Sequence, residues 1–223
     1  MRPLLSALVL LSTLAVRGLA QSPPNGYPVP PVPLADSAEI ALAVSAAPPD
    51  VSALATVYAV SKGVVRTLRK GSNGAACMVA RDLHAGSLYP ICYNAEGANT
   101  ALKRELLEVR LRSLGVAEDS IARAVTAAYA SGEIASPRTM AIAYMMSPHQ
   151  VLFSSPGREG RRVGAWHPHL MLYVPGATPA MFGLTSEDGE PIAFSNPGTP
   201  RAEVIVKVPT WADGTPAPAP KRR

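Results

Sequence analysis

Apolar positions along this chain change their spacing twice. From residue 55 to residue 93 they fall in short runs rich in β-branched residues, cut by glycine, asparagine and serine, which predicts strands at residues 55–60, 64–69, 75–80 and 88–93. The strands at 55–60 and 64–69, separated only by S-K-G, look like a pair, and Asn73-Gly74 offers the positive-φ residues of a tight hairpin turn, so the strand at 64–69 is also expected to pair with the strand at 75–80. The spacing then becomes helical. A helix from residue 99 or 100 to Leu114, stopped by Gly115, carries one stripe of Leu102, Leu106 and Val109 and a second flank of Leu107, Leu111 and Leu114, so it should be covered on two sides. Arg104, Glu108 and Arg112 recur at i, i+4 along it and read as a solvated face. A second helix opens at Glu118-Asp119, turns Ile121, Ala124, Val125 and Ala128 inward and ends at Ser131-Gly132.

Beyond the helices, strand character returns at residues 139–146, 150–153, 169–174 and 203–208, with a helical turn at 179–184 and loops at 155–162 and 186–190. Ahead of the first strand, Asp36 or Ser37 can cap a helix running to residue 47, which Pro48-Pro49 stops. Strands, then a helix pair, then strands again, without regular βα alternation, predict an α+β domain: a mainly antiparallel sheet with an inserted αα-hairpin.

The two ends of the chain differ from this middle. Arg2, an apolar run over residues 3–16 and the small residues Gly18 and Ala20 read as a secretory signal peptide, residues 1–20, cut before Gln21. Arg17 ends the run too early for a spanning helix, and no later segment is apolar for long enough, so no membrane span is expected after cleavage. Residues 21–34 are a proline-rich linker, residues 35–210 a single domain, and residues 211–223 a disordered, basic Pro/Ala tail. The formal charge of +5 lies largely in these ends. Arg2 and Arg17 leave with the signal peptide, and Lys221, Arg222 and Arg223 sit in the tail, so the domain is near neutral and has no basic face for nucleic acid.

Export gives the two cysteines their meaning. Cys77 alternates onto the same face as Val79 and Cys92 onto the same face as Leu88, so both sulfurs can enter one core and form a disulfide in an oxidising compartment. Two buried thiols are the alternative. A redox-active pair would call for C-x-x-C spacing, which is absent.

Candidate chemistry gathers at His167-x-His169, where two imidazoles two residues apart in an extended chain face the same way. His149, Asp82 or His84 could complete a zinc or copper site, and Met145, Met146 and Met171 are nearby soft ligands that equally suit an ordinary core. No cofactor is expected, because only two ligands are local. Trp166, Tyr173 and Tyr144 could line a small apolar pocket, or fill the core. The G-x-S-x-G nucleophile elbow is absent, and the carboxylate pairs Glu118-Asp119 and Glu187-Asp188 suit a helix start and a loop.

At residues 73–81 (N-G-x-x-C-x-V-x-R), 89–97 (Y-P-I-C-Y-N-A-E-G), 142–147 (I-A-Y-M-M-S) and 168–175 (P-H-L-M-L-Y-V-P) the chain resembles a set of uncharacterised secreted bacterial proteins. The resemblance implies a bacterial exported protein, periplasmic or extracellular, and carries no activity. The expectation is a non-enzymatic binding or envelope-associated domain, its partner a small ligand or an envelope protein. A metal-assisted hydrolase centred on His167 and His169 is the alternative.

Overall fold

The computed structural model describes residues 33–82, 87–150, 167–186 and 191–217. The signal peptide, nearly all of the linker, His84, Trp166 and the expected strand residues 151–153 therefore lie outside the described residues.

Two short helices, α1 (Asp36–Val44) and α2 (Pro49–Ser52), precede β1 (Thr56–Ser61), β2 (Val64–Arg69), β3 (Ala76–Asp82) and β4 (Ser87–Tyr93). Three helices follow, α3 (Ala95–Asn99), α4 (Ala101–Ser113) and α5 (Glu118–Ala130). The chain then adds β5 (Ala141–Met145), β6 (His169–Tyr173), a 3₁₀ turn (Pro179–Phe182), β7 (Ile192–Ser195) and β8 (Glu203–Lys207). All eight strands form one sheet in the order β2-β1-β3-β4-β5-β6-β8-β7, antiparallel throughout except for the β1–β3 pair. The α+β class with an inserted αα-hairpin is thus the observed one.

Alternation gives the sheet a core on each face, with a smaller third cluster of Ala177, Phe194, Ala202 and Val204 at the β6–β8–β7 end. On one face Met78, Ile91, Tyr93, Met145, Met171 and Tyr173 pack under Leu102 and Val109 of α4. On the other, Val57, Cys77, Val79, Leu88 and Cys92 pack under Ala43, Ala46 and Ala47 at the end of α1. Cys77 and Cys92 face each other directly in the β3–β4 register and are disulfide-bonded, closing a separation of 15 residues. A fully buried ion pair holds α1 to this second face: Arg81 donates from both terminal nitrogens to Glu39, at 2.6 and 2.7 Å.

The strand pairing at Asn73-Gly74 is a correction. β2 is an edge strand paired only with β1, and it is β1 that lies beside β3. The expected pairing across S-K-G is present: the Lys62-Gly63 turn, with φ of 47° and 75°, makes the β1–β2 hairpin. Residues 70–75 carry the chain around the start of β1, held by Ser72 N–H to the Leu54 carbonyl (2.9 Å) and by the Asn73 amide, which donates to the Val51 carbonyl (2.9 Å). A Cβ on Gly71 would lie 2.3 Å from the Leu54 carbonyl oxygen, so a backbone this close excludes any other residue there.

Three further differences are local. Ahead of the helix expected from residue 99 or 100, the chain already forms the helix α3, capped by the Asn94 side chain accepting from Gly97 N–H at 2.9 Å. β7 was not anticipated from its short apolar run. Past residue 210, where a tail was expected, Trp211 is only 6% exposed, its N–H bonds the Thr215 carbonyl (2.8 Å), and Ala212 N–H reaches the Met146 carbonyl (2.9 Å). One large aromatic ring outweighs the polar, proline-rich composition around it.

Candidate ligand cleft between the helical hairpin and the last strands

The row expected to face solvent is largely buried, which is the main correction at the level of the site. Arg104 is 6% exposed, and the Glu108 and Arg112 side chains only 14% and 13%. The reason is that Glu203, 99 residues away at the start of β8, comes over the helix: Arg104 Nη1 donates to Glu203 Oε1 at 2.6 Å. The Arg104 guanidinium also stands 5.5 Å from the centroid of the Tyr173 ring, a cation–π contact from the sheet below.

From Arg104 the charges alternate outward. Its Nε lies 3.8 Å from Glu108 Oε1 and makes no hydrogen bond. Glu108 reaches Arg112 at 3.5 Å, and Arg112 crosses the hairpin turn to grip Glu118 through two hydrogen bonds of 2.9 and 3.1 Å. Arg201, ahead of β8, closes the far side at 4.0 Å from Glu108. Behind the row, Glu105 accepts a 3.0 Å bond from the Tyr89 hydroxyl.

Burial sets the electrostatics. The Glu105 carboxyl is pushed up to about 7, first by burial and then by the neighbouring Glu108 charge, against the opposing pull of Arg104, Arg112 and Tyr89. Arg104 resists the same desolvation: Glu203, Tyr173, Glu108 and Glu105 together hold it charged, above the ordinary arginine value. The Tyr173 phenol is raised by burial and by Glu203, so it stays neutral.

Two adjoining cavities open along this row. The smaller, ≈ 280 Å³, is walled by Arg104, Glu108, Arg112 and Glu118 on the hairpin and by Ser195, Asn196, Arg201 and Glu203 on the strand side. The larger, ≈ 620 Å³, lies between the end of α5 and residues 199–201, with Tyr129, Ala130, Ile134, Ala135 and Pro200 giving it a mostly apolar lining. Arg201 belongs to both walls.

The residues singled out from sequence are dispersed by comparison. His169 is 1% exposed, and its Nδ1 donates to the His167 carbonyl at 2.8 Å. Its ring is held below the ordinary imidazole value by burial. His167 is half-buried, and His149 sits on an exposed turn. Among the described residues no three His, Cys, Asp or Glu side chains gather as a metal site. Met145 and Met171 fill the core under α4. Tyr144 packs on the disulfide face and Tyr173 on the opposite one, so the two do not line one pocket.

The charged row is visible in the sequence, but its i, i+4 spacing alone points it toward solvent and the structure turns it inward. Aliphatic residues flank it on both sides, Leu102, Leu106 and Val109 on one and Leu107 and Leu111 on the other, and a helix covered on both flanks leaves little solvent for what lies between. That signal could have turned the row inward.

Comparison with family models, with curated proteins and with solved structures finds no match for this chain.

Proposed function

We propose that this protein is an exported, non-enzymatic binding domain whose small-molecule ligand sits in the cleft between the helical hairpin and the segment from β7 to β8. One observation carries the reading: a rigid, charge-paired wall meets an apolar cavity of ≈ 620 Å³ at a single shared arginine, Arg201. Small-molecule sites combine these features, an apolar volume of roughly 300–1,000 Å³ and a few fixed polar groups. Export rests on the signal-like residues 1–20 and on the Cys77–Cys92 bond, since disulfides persist in oxidising compartments such as the periplasm or the extracellular space. No helix among the described residues is long and apolar enough to cross a membrane. A metal-assisted hydrolase at His167 and His169 has less support, because one ring nitrogen of His169 is already engaged by a backbone carbonyl within the core.

Two measurements test this. Isotope-labelled protein mixed with a small-molecule extract of the producing cells should show amide shifts concentrated in α5 and residues 195–203. Shifts confined to other surfaces, or none, would remove the cleft from consideration. Intact mass of the exported protein should begin at Gln21, and a chain still starting at Met1 would overturn the export reading.

A further inference from the structure

We infer that the cleft takes a small amphiphile with one carboxylate, its head on Arg201 and its apolar body in the larger cavity. This rests on the reading of the cleft as the ligand site and names the chemistry that the site selects. Arg201 is the only described residue in both walls, so a ligand that reaches from the apolar lobe toward the charged row passes this arginine.

Arg201 is also the least committed cation of the row. Its side chain is 29% exposed, and among the described residues its one side-chain hydrogen bond is a long contact of 3.3 Å to the Asn196 side-chain oxygen. Its partner Glu108, at 4.0 Å, lies beyond hydrogen-bond distance and keeps Arg112 at 3.5 Å and Arg104 at 3.8 Å if Arg201 turns away. Most of the five donors of a guanidinium fork therefore remain for an incoming planar acceptor.

The surrounding charges decide the head group. Glu203 and Glu118 are already bound by Arg104 and Arg112, so they offer little to a cationic head. A doubly charged phosphate would meet Glu108 and Glu118 with only one loosely held arginine in its favour. A single carboxylate matches the fork bidentately and adds one negative charge where one cation is under-used. The lobe behind it supplies the apolar half, with the half-buried Tyr129 ring on one side, Ala130 and Ala135 at the rim, and the buried Ile134 as floor.

Titration calorimetry with decanoate, decanol and decyltrimethylammonium, all below micelle formation, tests the assignment. Decanoate should bind one equivalent, decanol about tenfold more weakly for want of the charge-assisted bonds, and the cation not measurably. Arg201→Gln should weaken decanoate about tenfold and leave decanol unchanged. Ala130→Trp, at an exposed position where the new ring would fill the lobe, should weaken both while circular dichroism stays native. N-acetyl-leucyl-leucine as free acid and as amide, run alongside, separates a fatty acid from the C-terminus of an apolar peptide as the source of the carboxylate. Equal binding of decanoate and decanol, or decanoate binding insensitive to both substitutions, overturns the proposal. If neither carboxylate binds while cell extract still shifts the cleft amides, the ligand class is wrong and the cleft stands. If the extract also leaves those amides unmoved, both readings fall.

Discussion

Replacing Glu203 by glutamine keeps the shape of the side chain and removes the charge that Arg104 was buried against. Both groups are nearly solvent-free, at 7% side-chain exposure each, and the 2.6 Å contact is the shortest that Arg104 makes. Breaking one partner of a buried ion pair costs about 3–5 kcal/mol, because the other charge is left in a low-dielectric site. Here the remaining carboxylates of Glu105 and Glu108 stand 3.9 and 3.8 Å from the same guanidinium, which places the expected loss at the lower end, about 3 kcal/mol. For a domain of this length that corresponds to a fall in Tm of roughly 6–12 °C. Urea unfolding should show a lower midpoint with an unchanged slope, since the native surface is the same. Adding Arg104→Met to Glu203→Leu should recover part of the loss, because the guanidinium is no longer buried without Glu203, while Glu108 keeps Arg112 and Arg201 and the buried Glu105 takes up a proton more readily. A Glu203→Gln protein within about 0.5 kcal/mol of the parent would mean that the row is solvated after all, as its i, i+4 charge pattern first suggested.

Glu105 predicts a pH dependence. Its folded-state carboxyl titrates near 7 against an unfolded value of 4.5, so the folded state holds the proton more tightly and stability should fall as pH rises through that interval. Glu105→Gln should flatten the Tm profile between those limits and raise Tm at higher pH, and an unchanged profile would place the titrating group elsewhere. Removing both cysteines with Cys77→Ala and Cys92→Ala should cost about 2–5 kcal/mol. Non-reducing peptide mapping of the parent should recover the linked peptides, and two alkylatable thiols in the folded protein would refute the bond. Gly71→Ala pushes a methyl group against the Leu54–Thr56 backbone, which has no rotamer to yield, so a loss of about 3 kcal/mol is expected by thermal melt. A neutral result would mean that the connection passes farther from β1.

Local pattern was enough for the elements and for the disulfide. β2 was read with its observed bounds, the two long helices within a residue or two, and Cys77–Cys92 from alternation and the expected compartment, because periodicity, caps and turn residues act over a few positions. Pairing was legible only across the tight S-K-G connection between β1 and β2. Asn73-Gly74 shows that the chain turns, yet nothing in a turn dipeptide says that β1 will lie between the strands on either side of it. Burial of charge was hidden for the same reason. Arg104 meets Glu203 across 99 residues and Arg81 meets Glu39 across 42, so whether an arginine faces water or a carboxylate depends on which distant segment covers it. Sequence alone therefore determined the staple, the two long helices and most of the strands, but not the short elements α3 and β7. The order of strands, the inward turn of the charged row and the place where Arg201 joins it to an apolar cavity were decided by long-range packing, which has no local signature.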